Sequence, residues 1–365
     1  MKKLLFFLIF SSLFLQGCIE KVSNTSNQTF KINEHTVPFL TKSCDERAGQ
    51  YNFYKGVWDI EKGKLIFSND KTIEVKGDGF DIKWDGNMNI IIKSVDNKNI
   101  TIDHVETGLN IKKVNYNYNC IEVSSNNDNT ETYRIVNHPN QSTQPNDYIF
   151  EVKRNGVVRT IPIKPSFDKE YTILRPLGLH IKNDRTEFYF ELFYIPNESK
   201  PWEHSCAIVK GIYGGINSID WSVVSKDIGI VEAGAGVSMV EYNENVIIAE
   251  QNGRLKQLKL EDGSIKELEI YNTKIEQFHK KYVHSSYYNK PPELYRYKDF
   301  LIVKDEPAIL GSQPVVYILA AKEDKIIGEI IANGKRITVF KDGIVTEKKS
   351  LESRYQPFTW VFPGV

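Results

Sequence analysis

The stretch VIIAEQNGRLKQLKLEDGSIKE, residues 246–267, predicts three short β-strands joined by two tight turns. An apolar run is followed by Asn252-Gly253, then by a second strand-like run, and then by Asp262-Gly263 and a third run. Asn, Asp and Gly tolerate the positive φ angles that two-residue hairpin turns require. The segment therefore predicts an antiparallel β-meander.

The same layout recurs along the chain. Residues 71–95 and 325–349 each contain two glycine-bearing turns between strand-like runs, and Asn155-Gly156 separates two more such runs. Helical periodicity is almost absent. Recurring meanders predict an all-β body over residues 37–365, built as a β-propeller-like stack of antiparallel meanders. The alternative is a pair of β-sandwich or barrel-like domains that divide near the polar stretch 124–147.

The segment 246–267 resembles one blade of the quinoprotein-type β-propellers, in which strands and DG or TG turns recur. At roughly 40–45 residues per blade, this resemblance implies about seven blades, or fewer with insertions. The segment lacks the tryptophan that such blades often carry after the last turn. The cofactor chemistry of that family is therefore not carried over, and no cofactor is expected.

One segment departs from the β pattern. Thr273-Lys274-Ile275-Glu276 has the spacing of a helix capping box, and Ile275, Phe278 and Tyr282 follow at helical intervals. We expect one short helix over residues 274–284.

The N-terminus predicts export. Lys2 and Lys3 precede an apolar run that is too short to span a bilayer, and residues 1–17 are interpreted as a signal peptide. Leu15-Gln16-Gly17-Cys18 resembles the lipobox of bacterial lipoproteins, which implies lipidation of Cys18 and cleavage before it. In a Gram-negative host, Ile19 after that cysteine favours the outer membrane, with the body facing the periplasm. Polar residues 18–36 are expected to be the lipidated cysteine and its flexible tether.

Composition excludes one class of partner. The chain has 365 residues with 47 Lys and Arg against 47 Asp and Glu, so no long-range field would gather nucleic acid. Besides Cys18, three cysteines allow three pairings with one thiol left over, and Cys44–Cys120 is the favoured pair. The alternative is that all three are buried thiols.

Catalytic and metal-binding motifs are absent from the sequence. No Gly-x-Ser-x-Gly elbow is present, and Gly234-Ala235-Gly236 lacks the third small residue of a dinucleotide loop. Alternation along a strand allows His204 and Cys206 to share a face, and we interpret them as a half-buried histidine beside a core or disulfide cysteine. We expect no metal site.

Tyrosines supply contact area with a polar tip and are enriched at interfaces. The alternative is that these rings pack between strands. The candidate partner-contact residues are Tyr282, Tyr287, Tyr288, Tyr295 and Tyr297, with Tyr116-Asn117-Tyr118 as a second region.

The main functional hypothesis from the sequence is a lipid-anchored envelope protein that acts through protein–protein interaction and is not an enzyme. One alternative is an immunity lipoprotein that neutralises an imported antibacterial toxin such as a lipase. Another is an envelope enzyme that processes glycan or lipid, which a cluster of carboxylates at the central channel of a propeller would support.

Overall fold

The structure is a computed structural model. It describes residues 20–21, 33–45, 50–67, 80–84, 89–94, 100–104, 108–113, 121–125, 131–137, 148–182, 185–200, 203–215, 218–228, 230–232, 238–282, 291–306, 315–334, 336–350 and 359–362. The interpretations of residues 71–76, Tyr116 and Tyr118, and Gly234-Ala235-Gly236 lie outside these residues.

Six β-sheets are present in the part of the chain that the structure describes. Sheet 1 contains β2 (Thr36–Asp45), β3 (Gln50–Asp59) and β4 (Lys64–Phe67), and sheet 2 contains β5 (Phe80–Trp84), β6 (Asn89–Ser94), β7 (Ile100–His104) and β8 (Gly108–Lys113). Sheet 3 contains β9 (Ile121–Ser125), β10 (Glu131–Asn137), β11 (Tyr148–Arg154) and β12 (Val157–Ile163). A short strand, β1 (Glu20–Lys21), precedes them and lies in the expected tether.

Sheet 4 contains β13 (Tyr171–Lys182), β14 (Arg185–Tyr194), β15 (Glu203–Tyr213), β16 (Asp220–Ser225) and β17 (Ile230–Glu232). Sheet 5 contains β18 (Ser238–Tyr242), β19 (Asn245–Ala249), β20 (Leu255–Lys259) and β21 (Ile265–Glu267). Sheet 6 contains β22 (Glu293–Tyr297), β23 (Phe300–Asp305), β24 (Val315–Lys322), β25 (Lys325–Asn333), β26 (Arg336–Lys341) and β27 (Ile344–Ser350), with β1 parallel to β27. The last strand, β28 (Thr359–Val361), completes sheet 1.

The all-β, propeller-like prediction is confirmed. Sheets 2, 3 and 5 are four-stranded meanders in which neighbours in the chain are neighbours in the sheet, and sheet 4 follows the same order through β16. Turn chemistry explains the hairpins: Asn155-Gly156 has φ of 50° and 79°, and Asp342-Gly343 has φ of 49° and 76°. Sheet 1 joins both ends of the chain, since Thr41 of β2 pairs with Trp360 of β28.

The predicted helix is present with different bounds. Helix α1 spans Glu269–Tyr282, so it begins five residues before the predicted start and ends two residues before the predicted end. The Leu268 amide donates to the Leu255 carbonyl of β20, and the Leu268 carbonyl accepts from the Asn272 amide. Contacts with the end of sheet 5 therefore fix the first turn of the helix. Thr273, the predicted capping residue, lies inside the helix and does not begin it.

The chain divides into two compact units. Unit 1 comprises Met1–Val114, Thr273–Asn289 and Tyr295–Val365, and unit 2 comprises Asn115–Asn272 and Lys290–Leu294. The stretch 124–147, where the sequence allowed a division, lies within unit 2. Among the described residues, no helix has the length and apolar character needed to cross a membrane.

Each unit has its own apolar core. In unit 1, Trp58 and Trp360 are fully buried with aromatic and aliphatic side chains of sheets 1 and 6. In unit 2, one face of β14 packs Phe188 and Phe190 against sheet 3, and the other face packs Tyr189 against sheet 5. Because β14 is covered on both sides, any charged residue within it must find partners.

Candidate functional site

A polar pocket lies in unit 2 between sheets 4 and 5. It has a volume of about 560 Å³. Sheet 4 lines it from β13, β14 and β15, and sheet 5 lines it from the β18–β19 turn and the end of β20. The lining residues from sheet 4 are His180, Lys182, Arg185, Glu187, Tyr189 and Lys210.

Strand register gathers these residues on one face of sheet 4. His180 of β13 lies opposite Glu187 of β14, and Lys182 lies opposite Arg185. Tyr189 lies opposite Lys210 of β15. Alternate residues of a strand share a face, so positions 185, 187 and 189 point the same way.

Glu187 is the centre of the pocket. Its side chain is only 1% exposed, and its Oε1 lies 2.8 Å from a guanidinium nitrogen of Arg185 and 2.9 Å from Nζ of Lys210. Its Oε2 accepts a hydrogen bond of 3.1 Å from the Tyr189 hydroxyl, and Nζ of Lys182 lies 3.6 Å away. Burial acts to raise the pKa of this carboxyl, but Lys210, Tyr189 and Lys182 outweigh burial and hold the pKa below its ordinary value. Glu187 is therefore a carboxylate at neutral pH.

Tyr189 is held as a neutral phenol. Burial raises its pKa, and the negative charges of Glu187, Glu244 and Glu241 raise it further. The Lys210 ammonium lies 5.8 Å from the centre of the Tyr189 ring. The phenol can donate a proton in a hydrogen bond, but it does not supply a phenolate near neutral pH.

A His–Glu pair lies beside this cluster. Nε2 of His180 is 3.5 Å from Oε1 of Glu241 in β18. Gly178 makes room for the pair, because a Cβ there would lie 2.9 Å from Oε2 of Glu241 and 3.1 Å from Nε2 of His180. The His180 and Tyr189 ring centres are 5.9 Å apart, and both rings line the pocket, with Glu241 behind His180.

A second buried carboxyl, Glu191, lies on the same strand face. Cys206 Sγ is 3.5 Å from its Oε1, and a guanidinium nitrogen of Arg175 is 3.8 Å from its Oε2. Burial raises the pKa of the Glu191 carboxyl. Burial also raises the pKa of the Cys206 thiol, and the neighbouring Glu191 raises that thiol pKa further. These groups do not line the pocket, and they belong to the packing between sheets 4 and 5.

Three of the tyrosines proposed for partner contact are described by the structure, and none of these three lines the pocket. Tyr295 and Tyr297 pack in the core of unit 1, where the Tyr295 ring lies 5.7 Å from that of Phe362, and Tyr282 packs on Phe278 of α1 at 5.1 Å. Tyr287 and Tyr288 lie outside the described residues. The contact role therefore stays a prediction.

The cysteine predictions have the same standing. Cys206 is a buried free thiol. Cys18, Cys120 and the side chain of Cys44 lie outside what the structure describes, so lipidation and the Cys44–Cys120 pairing remain predictions.

His204 stacks on Phe193, with 4.7 Å between the ring centres. Within the described residues no group of three metal-ligating side chains comes together.

The sequence analysis missed the pocket residues. The available signal was the run TEFYFELFY, residues 186–194, in which two glutamates lie four positions apart in an aromatic strand. Carboxylates in such a strand need buried partners. The partners come from β13, β15 and β18, and their spacing carries no local motif.

Comparison with known proteins gives likenesses of fold only. No protein-family model and no curated protein matches the sequence. A protein from Lactobacillus plantarum is 11% identical over 89% of this chain and 99% of its own, with a TM-score of 0.36. The α-L-arabinofuranosidase of Fusarium graminearum is 9% identical over 79% of this chain and 92% of its own, with a TM-score of 0.40. A fungal alcohol oxidase is 7% identical over 92% of each chain, with a TM-score of 0.39.

These comparisons correct the main functional hypothesis. The non-catalytic protein–protein binding role is wrong as the leading interpretation: three similar solved structures whose names state an activity, an arabinofuranosidase, an acylaminoacyl peptidase and an alcohol oxidase, are enzymes. The envelope-enzyme alternative agrees with them better. Likenesses at these TM-scores assign no reaction or residue, so the choice of site rests on the pocket geometry.

Proposed function

We propose that this protein is a lipid-anchored envelope enzyme that processes a glycan or a lipid in the pocket around Glu187. The observation that carries the proposal is a carboxylate that is 1% exposed yet lines an open pocket among three cations and a phenol. Strongly perturbed titratable groups that converge in a cleft are typical of functional sites.

Energetic cost supports a functional role. A buried carboxylate is costly to desolvate, and apolar residues of similar volume often replace buried ion pairs without loss of stability. The other face of β14 is filled with Phe188 and Phe190, so the fold can hold apolar side chains here. Chemistry is a sufficient reason to keep Glu187, Arg185 and Lys210 together.

The groups suit hydrolysis. Glu187, ionised at neutral pH, can take a proton from a water whose oxygen forms the new bond to the acyl, glycosyl or phosphoryl centre. The bond between that centre and the leaving oxygen breaks, and the leaving oxygen receives the proton that Glu187 took from the water. Arg185 and Lys210 stabilise the negative charge that develops on the leaving oxygen, or on the oxygens of an acyl or phosphoryl centre.

The test uses the full-length lipoprotein in detergent micelles. It is incubated with purified envelope glycan and lipid fractions, and released fragments are identified by mass spectrometry. We expect fragments from the wild type and none from Glu187→Gln. A matched control is Glu203→Gln on β15, since Glu203 pairs with a lysine at 2.7 Å in the same sheet but does not line the pocket. Equal release by Glu187→Gln, or no release from either fraction by the wild type, contradicts the proposal.

A further inference from the structure

The wall of the pocket that sheet 4 forms holds more positive charge than its buried carboxylate can neutralise. Glu187 carries one negative charge, and three cationic groups lie within 3.6 Å of it, those of Lys182, Arg185 and Lys210. Two other acids lie close by: Oε1 of Glu241 is 3.5 Å from Nε2 of His180, and Oε1 of Glu244, whose side chain is 74% exposed, is 3.8 Å from Nζ of Lys182. Water screens a charge at such an exposed position.

The donors of these cations are only partly used. A guanidinium has five N–H donors and an ammonium has three, whereas Glu187 engages each of them through one short contact. The side chains of Lys182 and Arg185 are 40% and 50% exposed, and that of Lys210 is 20% exposed. Donors of all three residues are therefore available to a molecule in the pocket.

The opposite wall of the pocket has no excess of positive charge, because its one lysine lies beside two acids. Nζ of Lys259 lies 2.7 Å from Glu261 and 3.5 Å from Asp262. The excess of positive charge therefore belongs to sheet 4, where Arg185 presents a planar fork that matches a phosphate or carboxylate.

We infer that Lys182, Arg185 and Lys210 bind an anionic group of the substrate, a phosphate or a carboxylate, beside the Glu187 carboxylate. This inference rests on the proposed function of the pocket and adds the chemical class of the substrate. Glu187 and the bound anion compete for the same three cations.

Because Glu187 and the anion compete for the same cations, substitutions of Lys210 and of Glu187 should change the anion affinity in opposite directions. Inorganic phosphate and glucuronate are titrated calorimetrically into the full-length lipoprotein in micelles, with glucose as the uncharged probe. We expect one or both anions to bind and glucose not to bind. Lys210→Gln should weaken anion binding at least 10-fold, whereas Glu187→Gln should strengthen it at least 3-fold while it abolishes turnover.

The control variant is Lys226→Gln, because Lys226 pairs with exposed Asp168 at 2.6 Å in the same unit but does not line the pocket. It should bind anions as the wild type does. The inference is overturned if neither anion binds, or if Lys210→Gln binds as tightly as Lys226→Gln.

The two proposals fail separately. Release of glycan or lipid fragments without anion binding overturns the anion inference and leaves the enzyme proposal standing. Anion binding that needs Lys210 without any release overturns the enzyme proposal alone. Preference for phosphate over glucuronate, or the reverse, identifies which anionic group the substrate carries.

Discussion

Lys210 lies directly opposite Tyr189 in the register of β14 and β15, yet its ammonium lies 2.9 Å from the carboxylate of Glu187, the next residue on the same face of β14. The Lys210 ammonium lies over the Tyr189 ring, 5.8 Å from its centre. One side chain therefore neutralises the buried carboxylate and covers the phenol that donates to it. Loss of the Glu187 charge leaves the Lys210 ammonium without this partner, whereas loss of the Lys210 charge leaves Glu187 with Arg185 at 2.8 Å.

The first prediction is a pH dependence of stability. The pKa of Glu187 is lowered on folding, so the carboxylate stabilises the fold above the ordinary pKa of 4.5, and this stability is lost as the pH falls through the lower folded value. We expect Glu187→Gln to reduce the free energy of unfolding by roughly 1–3 kcal/mol at pH 7 in urea titrations. The difference from wild type should shrink below pH 4.5. If the difference in free energy of unfolding between wild type and Glu187→Gln stays constant down to the pH at which the protein unfolds in acid, the stabilising role of the carboxylate is contradicted.

The second prediction concerns Gly211, which lies opposite Phe188 in sheet 4. A Cβ at Gly211 would lie 2.3 Å from the Phe188 ring, and that ring is fully buried, so it has nowhere to move. We expect Gly211→Ala to lower stability by roughly 1–3 kcal/mol in thermal or urea unfolding. Gly214→Ala is the matched control, since no atom lies within 4 Å of its added methyl group. Equal stability of the two variants contradicts the packing described here.

The third prediction concerns the reactivity of Cys206. Burial and the neighbouring Glu191 carboxyl raise the pKa of its thiol, and the thiolate is the reactive form. We expect iodoacetamide at pH 8 to leave Cys206 unmodified in the native protein and to modify it in urea, as read by peptide mass spectrometry. Rapid modification of the native protein shows that the thiol is accessible.

The fourth prediction concerns the membrane anchor. Replacement of the lipobox cysteine, Cys18→Ser, removes the thiol that would carry the diacylglycerol. We expect the wild type in the membrane fraction and the variant in the soluble periplasmic fraction or retained as uncleaved precursor. A processed variant that stays in the membrane fraction contradicts lipidation at Cys18.

Local turn chemistry made the fold predictable. Asn155-Gly156 and Asp342-Gly343 adopt the positive φ angles from which their hairpins were predicted, because these residue types determine such turns without help from distant contacts. The helix start was predicted less well. Its first turn is fixed by the Leu268 amide on Leu255, a contact with β20 that the capping-box spacing cannot show.

The candidate site was invisible for a related reason. His180, Glu187, Lys210 and Glu241 come from four strands, and each residue alone is an ordinary polar side chain in a β pattern. Only the strand register and the packing of sheet 5 on sheet 4 bring them together. Sequence spacing encodes neither, so the search for catalytic motifs found nothing and a binding role was preferred.

The most direct test of the central claim is the specificity constant, kcat/KM, of Glu187→Gln on the substrate that the fragment screen identifies. General-base catalysis is typically worth about 10²–10⁴-fold, so we predict a loss of at least 100-fold with a circular dichroism spectrum like that of wild type. Glu203→Gln should stay within about 3-fold of wild type, since a change far from the site leaves transition-state stabilisation intact. A folded Glu187→Gln variant that retains wild-type kcat/KM would show that the pocket is not the active site.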